Sequence, residues 1–283
     1  MRTTLRKGAA ALLACVLALG LAGCGAKEPP PGALTGKVSI SGSTALLPLA
    51  KAAKELFEEK HEWVTINVSG GGSFSGLNQV STGAVDIGMS DIEAPPEMAE
   101  GLVEHRVSIS PFVIVIHPDL PVENLTLEQA AQIFRGEITN WREVGGPDMP
   151  ITVVSRPQSS GSRATIVATV LKGQGDITRN AVIQDSNGKV RETISTTPGA
   201  IGYVEYSYYQ EEMARAVSID GVPCTPENVL SGRYPIWSYG RMYTRGEPTG
   251  AAKAFLDFLL SSEFQEGYMD VLKLIPVTGM QAE

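Results

Sequence analysis

The sequence predicts an α/β fold with largely parallel sheets. Short apolar segments alternate with longer amphipathic ones along most of the chain, which is the pattern of strands followed by helices. Glycine and serine concentrate at three junctions where a predicted strand passes into a helix. The roughly 250 residues that follow the N-terminal segment suffice for one large or two medium domains with a core of their own.

The elements are predicted in alternating order from residue 37 to residue 272. Predicted strands cover residues 37–40, 65–68, 86–89, 107–117, 151–155, 200–206 and 236–244. Predicted helices cover residues 44–60, 76–82, 127–134, 162–171, 251–260 and 263–272. The helix at 127–134 has a clear start, because Thr126 can cap it and Gln129 can complete a capping box. The long apolar strand at 107–117 is suited to cross between two lobes.

The first 23 residues have the composition of an export signal. Three cations within the first seven residues precede an apolar run over residues 9–21, which is too short for a membrane span of roughly 20 residues. The run ends in Leu-Ala-Gly-Cys24, which is similar to the lipobox of bacterial lipoproteins. We therefore expect residues 1–23 to be removed, Cys24 to carry lipid, and residues 24–35 to form a proline-rich tether. A plain signal peptide or a short anchor helix is the alternative.

Charge and cysteine content exclude several classes of protein. The net charge is −8, and removal of the three N-terminal cations makes it −11, so the chain lacks the basic character that nucleic-acid binding requires. Such a surface also repels small anions, and any anion site must therefore be built locally from buried donors and helix dipoles. Cys224 is the one cysteine beyond residue 24, which excludes an intramolecular disulfide in the exported part.

The three glycine- and serine-rich junctions are candidates for one anion site. They are the segments SGSTA (residues 41–45), GGGSFSG (residues 70–76) and SSGSR (residues 159–163). A helix N-terminus carries N–H groups without helical partners and a partial positive charge, glycine admits close approach, and hydroxyls add donors. Each junction alone could be an ordinary helix cap. Three junctions of matched chemistry predict that a small oxyanion binds there.

Two charged residues at strand ends complete the candidate site. Arg156 follows the strand at 151–155, so its guanidinium can offer two donors to one oxyanion. Asp91 follows the strand at 86–89, and its carboxylate can only accept hydrogen bonds. A partner of Asp91 must therefore carry a proton, as hydrogen phosphate does and sulfate at neutral pH does not. A second, compatible role for Asp91 is to hold Arg156. A surface ion pair for Arg156 and a helix-capping or solvent-facing position for Asp91 are the alternatives.

The sequence contains no motif of a metal site or a nucleophilic catalytic site. His61, His105 and His117 are scattered, without Cys, Asp or Glu at metal-ligand spacing, and neither G-x-S-x-G nor G-x-x-x-x-G-K-[ST] is present. We therefore expect no metal, no cofactor and no enzymatic activity. The four tyrosines within residues 203–209 could suggest a sugar platform, but packing at a lobe edge explains them more simply.

A series of motifs runs through the chain in fixed order. They are GSTALLP (42–48), GSFSG (72–76), DIGMSD (86–91), LTLEQ (125–129), IFRG (133–136), ITNW (138–141), RPQSSGS (156–162) and TPGAIGY (197–203). In order, spacing and content, the series resembles the phosphate-binding proteins of the phosphate-specific ABC transporter. Two departures are Phe74, where many members have glycine, and Leu46-Leu47, where some have Thr-Phe.

The resemblance implies that phosphate is bound by all three junctions and by both strand-end residues. Carried over onto this sequence, the ligand set is Ser43, Thr44, Ala45, Ser73, Asp91, Arg156, Ser160, Gly161 and Ser162. The resemblance also implies a two-lobed, type II periplasmic-binding-protein-like fold with the ligand cleft between the lobes. We expect lobe I to comprise residues 36–112 and 236–283, and lobe II residues 113–235, with crossings near Phe112 and Ile236.

The implied function is capture of inorganic phosphate by a monomeric, exported, lipid-anchored protein that delivers it to the permease subunits of an ABC transporter. The nearest alternative is a binding protein for sulfate, molybdate or tungstate, against which Asp91 argues. A phosphatase-type hydrolase that uses Ser73 or Ser160 would need a general base or a metal, which the sequence does not supply. An anchored scaffold would have no use for three matched junctions.

Overall fold

The computed structural model describes residues 28–279. The predicted signal segment (residues 1–23), the predicted lipidation site Cys24 and the first part of the predicted tether lie outside the described residues. No helix within residues 28–279 combines the length and the apolar character needed to cross a membrane.

The secondary structure alternates as the sequence predicts. The strands are β1 (Gly36–Gly42), β2 (Val64–Gly70), β3 (Ile87–Ser90), β4 (Leu102–Ile116), β5 (Asn124–Leu125), β6 (Thr152–Ser155), β7 (Val182–Ile183), β8 (Ala200–Glu205), β9 (Arg215–Ala216), β10 (Ser218–Ile219) and β11 (Trp237–Arg245). The helices are α1 (Leu47–Lys60), α2 (Ser73–Ser81), α3 (Pro96–Ala99), α4 (Leu127–Arg135), α5 (Gly161–Thr169), α6 (Asn187–Thr196), α7 (Pro226–Leu230), α8 (Gly250–Leu259) and α9 (Ser262–Gly267).

Several boundaries differ from the prediction for identifiable reasons. Helix α1 begins at Leu47 rather than at residue 44, because Pro48 favours the first helical turn and residues 43–46 form the loop before it. Helix α9 ends at Gly267 instead of residue 272, and glycine is a poor helix former. Helix α6 was not predicted, because its sequence NGKVRETIST is polar and buries only Asn187, Val190 and Ile194.

The start of α4 has the predicted geometry. The Thr126 hydroxyl oxygen accepts a hydrogen bond from the Gln129 backbone N–H at 3.1 Å, and the Gln129 side-chain oxygen accepts one from the Thr126 N–H at 2.9 Å. The capping box that the sequence predicts is therefore confirmed. Gly136 ends the helix in the left-handed conformation at φ 78°, which glycine adopts without steric cost.

The main sheet has the strand order β2-β1-β3-β11-β4-β8-β6-β7. Strand β1 is parallel to β2 and β3, and β6 is parallel to β7 and β8, as the alternating pattern predicts. At the centre, β11 is antiparallel to β3 and β4, and β4 is antiparallel to β8. The sheet is therefore mixed, because the chain crosses the centre twice through the long strands β4 and β11.

Strand β4 changes its partner at one point. Residues Leu102–Pro111 pair with β11, whereas Phe112–Ile116 pair with β8. The second crossing lies beside this point, since the Phe112 N–H donates to the Ile236 carbonyl at 2.9 Å. The two crossing segments are thus neighbours in the sheet.

Two large hydrophobic clusters lie on the two sides of this point. Buried members of the first cluster include Leu49, Phe57, Ile66, Phe255 and Phe264. Buried members of the second include Phe112, Phe134, Trp141, Tyr203 and Tyr234. Most of each cluster comes from one half of the fold, although Ala45, Ile109 and Ile275 of the first half join the second cluster. The halves therefore have largely separate cores connected by a pair of strands, which is the arrangement that permits hinge closure.

Candidate anion-binding site

Three parallel strands bring the first part of the predicted site to one sheet edge. Ser43 follows β1, the N-terminus of α2 with Ser73 follows β2, and Asp91 follows β3 directly. Backbone hydrogen bonds fix these loops to one another. The Ser43 N–H donates to the Met89 carbonyl at 2.9 Å, and the Gly72 N–H donates to the Gly42 carbonyl at 2.9 Å.

Asp91 is the centre of the site. Its side chain accepts a hydrogen bond from the Ser43 hydroxyl at 2.5 Å and one from the Ser162 hydroxyl at 3.0 Å, and its N–H donates to the Ser73 hydroxyl oxygen at 3.0 Å. Asp91 is only 1% exposed. One serine from each predicted junction therefore contacts Asp91, although Ser162 is 71 residues away in sequence.

Glycine permits the two halves to approach. A Cβ atom on Gly161 would lie 2.1 Å from the Ser73 hydroxyl oxygen and 3.0 Å from the Asp91 Cβ. Gly72 has φ +94°, and a Cβ there would lie 2.6 Å from the Ser159 carbonyl oxygen. The Phe74 N–H donates to that same carbonyl at 3.2 Å, so Phe74 contributes backbone contact across the halves.

Arg156 is buried immediately after β6, with 2% exposure. Its Nε donates to the Gln184 carbonyl at 3.0 Å and its Nη2 to the Asp185 carbonyl at 2.9 Å, while Nη1 is buried without a hydrogen-bond partner in the described chain. Burial lowers the pKa of Arg156, but a guanidinium remains charged in proteins. These two carbonyls, rather than Asp91, hold the guanidinium in place.

Three buried hydroxyls accept hydrogen bonds but donate none within residues 28–279. The Ser73 hydroxyl oxygen accepts from the Asp91 N–H, the Ser160 oxygen from the Arg163 N–H at 3.3 Å, and the Thr44 oxygen from two N–H groups of Asn187. Their protons remain available for an acceptor that the described chain does not supply. Together with Arg156 Nη1, they form a set of buried donors that suits an anion.

Ser43, Ser162 and Ala45 are arranged differently from these donors. The Ser43 and Ser162 protons are directed to Asp91, so their remaining capacity is to accept. The Ala45 N–H, predicted as a ligand donor, donates to the Ser43 hydroxyl oxygen at 3.1 Å. It could reach a ligand only as a shared donor, and its methyl group packs in the second hydrophobic cluster.

Two residues that sequence reasoning did not select also contact the site. The side chain of Asn187, at the first position of α6, donates to the Thr44 hydroxyl oxygen at 3.2 Å. The Tyr208 hydroxyl donates to the Thr44 carbonyl at 2.8 Å. A signal for Asn187 was present, since Ser186 caps α6 and makes this a fourth helix N-terminus at the site.

The tyrosines near the end of β8 pack as the sequence predicts, with Tyr206, Tyr208 and Tyr209 against a third hydrophobic cluster, and two of the four also make hydrogen bonds at the site. Tyr208 contacts Thr44 as described, and the Tyr203 hydroxyl lies 2.9 Å from the Ser155 hydroxyl and accepts from the Arg156 N–H at 3.3 Å. Tyr203 therefore positions the backbone from which Arg156 projects.

Burial dominates the acid–base chemistry of the site. It raises the pKa of Asp91, against the lowering effects of its bonds to Ser43 and Ser162 and of the charge on Arg156. It also raises the pKa of Glu205 to about 8, with the Ser207 hydrogen bonds acting in the opposite direction. Glu205 is 1% exposed, and its Oε1 has no hydrogen-bond partner in the described chain.

The described part of the chain offers no group of three or more His, Cys, Asp or Glu placed to hold a metal ion. The site consists instead of hydroxyls, N–H groups and one guanidinium around one carboxyl group. This donor set can bind a tetrahedral oxyanion that carries a proton, because it combines many donors with one acceptor.

Comparison with known proteins gives a consistent result. A family model described as a PBP superfamily domain matches residues 27–263. The phosphate-binding protein PstS of Bacillus subtilis is 44% identical over 250 residues, which cover 87% of this chain and 83% of that protein. The phosphate-binding protein PstS of Borreliella burgdorferi is 28% identical over 240 residues, covering 81% of this chain and 86% of the relative.

Solved structures agree with these sequence matches. A protein from Clostridium perfringens, described as a phosphate ABC transporter substrate-binding protein with bound phosphate, is 36% identical with a TM-score of 0.81, covering 86% of this chain and all of that one. An ABC-type phosphate transport receptor from Vibrio cholerae is 25% identical with a TM-score of 0.70, covering 84% and 99% of the two chains. The fold is thus the two-lobed, type II periplasmic-binding-protein-like fold, and the protein belongs to the PBP superfamily, in the family of the phosphate-binding proteins PstS.

Proposed function

We propose that this protein captures inorganic phosphate in the cleft between its lobes and delivers it to the permease of an ABC transporter. The observation that carries the proposal is a set of buried donors: Arg156 Nη1, which has no hydrogen-bond partner within residues 28–279, and the Thr44, Ser73 and Ser160 hydroxyls, which there accept bonds but donate none. Buried donors without acceptors destabilise a fold, and a tetrahedral oxyanion would satisfy several of them together. The names of the relatives and of the solved structures support phosphate as that anion.

Asp91 supports phosphate over sulfate. The carboxyl group lies among the donors, and its ionised form can only accept hydrogen bonds. Hydrogen phosphate can donate its proton to Asp91, whereas sulfate presents another acceptor to it. We retain the nine residues carried over from the family as our proposed phosphate set, with the Ala45 N–H as a shared donor. The Ser43 and Ser162 hydroxyl protons are directed to Asp91, so these hydroxyls would donate to phosphate only after those bonds rearrange.

Closure of the two lobes would complete the site. We place lobe I at residues 36–112 and 236–283 and lobe II at residues 113–235, because β4 changes partner between Pro111 and Phe112 and the two large cores lie on either side. Ser43, Ser73 and Asp91 then belong to lobe I, and Arg156 and the α5 N-terminus to lobe II. A ligand that contacts both sets favours the closed form.

The cellular setting forms part of the proposal. Residues 1–23 would direct export, Cys24 would carry the lipid anchor, and the proline-rich tether would hold a monomeric binding domain close to the permease on the outer face of the membrane. We propose binding without catalysis, since the relatives that this chain matches over most of their length are named as phosphate-binding proteins.

Calorimetry tests the binding claim. A soluble form that lacks residues 1–24 is stripped of ligand and titrated with phosphate and with sulfate. We expect saturable heat with phosphate and none with sulfate at about millimolar concentration, and saturating phosphate at about 100 times its Kd should raise the free energy of unfolding by about 2.7 kcal/mol. An unchanged melting temperature in phosphate contradicts the proposal. Turnover of p-nitrophenyl phosphate would instead indicate a hydrolase.

A further inference from the structure

Asn187 connects both lobes through one side chain. It is fully buried, with 0% exposure. Its Nδ2 donates to the Thr44 hydroxyl oxygen at 3.2 Å, and its backbone N–H donates to the same oxygen at 3.4 Å. Its Oδ1 accepts from the Glu205 N–H at 3.0 Å. The side-chain amide is therefore fixed in orientation, with its donor group toward Thr44.

This orientation decides what the Thr44 hydroxyl can do. A threonine hydroxyl has one proton to donate and two lone pairs with which to accept. The two N–H groups of Asn187 occupy both lone pairs, so the hydroxyl can act only as a donor in any further contact. An anion in the cleft would be the acceptor for that proton.

The same contact exists only when the lobes are together. Thr44 lies after β1 in lobe I, whereas Asn187 begins α6 in lobe II. Tyr208, also in lobe II, donates to the Thr44 carbonyl at 2.8 Å. Thr44 is thus held from lobe II at both its side chain and its backbone, and the hydroxyl is fixed as a donor only in the closed form.

We propose that Asn187 is a positioning residue for anion capture, which fixes the Thr44 hydroxyl as a donor to the bound anion and so couples the binding of that anion to lobe closure. The inference rests on the proposed function, because it takes phosphate as the anion. It assigns to Asn187 a role that acts through Thr44, without direct contact with the ligand.

A double-mutant cycle tests this role by calorimetry with inorganic phosphate on the full chain in mild detergent. Asn187→Ala should weaken phosphate binding about tenfold, and Thr44→Val, which replaces the hydroxyl with a methyl group of similar size, should weaken it at least as much. In the Thr44→Val background, the further change Asn187→Ala should weaken phosphate binding by less than about threefold, because the hydroxyl through which Asn187 acts is already absent. A purely structural role predicts the same fold-loss in both backgrounds and would overturn the inference.

Asn187→Asp provides a second, stronger arm. The new carboxylate can only accept hydrogen bonds, so the Thr44 hydroxyl donates to it and is no longer available to donate to the anion. The substitution also adds a negative charge close to the anion. We expect a loss of about a hundredfold or more, well beyond that of Asn187→Ala. Asn228 supplies the matched control, since it is also a buried asparagine near a helix start whose amide donates to the Pro223 carbonyl at 2.9 Å. Asn228→Ala and Asn228→Asp should leave phosphate affinity unchanged.

The outcomes separate this inference from the proposed function. If the parent protein binds phosphate and Asn187→Ala matches its Kd, the positioning role is wrong and the proposed function stands. If the parent protein produces no heat with phosphate, both are wrong. Small-angle scattering in saturating phosphate adds an independent readout: Asn187→Ala should show a larger radius of gyration than the parent protein, because a bond that holds the lobes closed is absent.

Discussion

The Ser162 hydroxyl donates to the Asp91 carboxyl group at 3.0 Å, from the N-terminus of α5 to the residue that follows β3. Ser43, which follows β1, donates to the other oxygen of the same group. Asp91 therefore accepts hydrogen bonds from both of the lobes that we propose. A ligand proton must share this group with two serine hydroxyls, which is possible because each carboxylate oxygen can accept more than one hydrogen bond.

Asp91→Asn should relax the discrimination between phosphate and sulfate. The amide can donate toward a sulfate oxygen, which removes the repulsion between two acceptors while keeping nearly the same shape. We expect phosphate affinity to fall about tenfold, the value of one charge-assisted hydrogen bond, and sulfate binding to become measurable. Calorimetry with both anions checks this. Continued exclusion of sulfate together with unchanged phosphate affinity would show that Asp91 does not select phosphate by accepting a hydrogen bond from its proton.

Arg156→Ala should weaken phosphate binding more than any single serine substitution in the site. The guanidinium makes charge-assisted bonds worth about 1.5–3 kcal/mol, against about 0.5–1.5 kcal/mol for one neutral hydroxyl such as that of Ser160. Titration of both variants gives the comparison. Arg163→Ala is the matched control, because Arg163 lies on the adjacent helix and pairs with Asp176 at 2.6 Å near the surface. An Arg156→Ala protein with the parent affinity would make Arg156 purely structural.

Gly161→Ala should separate stability from binding. Gly161 is the first residue of α5, where alanine is tolerated as well as glycine, so an open, ligand-free form should lose little stability. In the closed form, however, the added Cβ would lie 2.1 Å from the Ser73 hydroxyl oxygen. We expect phosphate affinity to fall at least about tenfold while the melting temperature without phosphate is maintained. Gly267→Ala, where no atom lies within 4 Å of the new Cβ, is the control. Parent-like binding by Gly161→Ala would mean that the closed arrangement is not the binding form.

Glu205 should make stability depend on pH. Burial raises its pKa to about 8 from an ordinary value of 4.5, so the native state keeps a proton that the unfolded state releases between these values. The contribution of Glu205 to the free energy of unfolding should therefore be largest below the lower value and should fall as pH rises through this window. Glu205→Gln should flatten the fall in melting temperature between about pH 5 and about pH 9. Since Asp91 has the same sign of shift and is present in both proteins, the difference between the curves isolates Glu205. Parallel curves would contradict the prediction.

Cys24→Ala should release the protein from the membrane or block its maturation, with no effect on phosphate affinity of the binding domain. The reason is chemical, because the side chain to which a lipid would be attached is lost. Fractionation of cells followed by a high-salt wash provides the measurement. Retention of the variant in the membrane after normal signal cleavage would indicate a different anchor.

Local sequence patterns determine the types of the main elements and the composition of the candidate site. Alternating hydrophobic periods predict the α/β elements, and Thr126 with Gln129 predicts a capping box, since both depend on neighbouring residues only. The three glycine- and serine-rich junctions, together with Asp91 and Arg156, identify the candidate site. This is possible because the residues that mark a helix N-terminus or a strand end are neighbours in the sequence.

The tertiary structure alone decided which of these groups are partners. It assigned the Ser43 and Ser162 protons to Asp91, gave Arg156 two backbone carbonyls instead of that carboxyl group, and placed Asn187 against Thr44. The antiparallel centre of the sheet likewise depends on where β4 and β11 cross. Such contacts join residues far apart in sequence, and their geometry is set by the packing of whole strands and helices, so no local pattern encodes them.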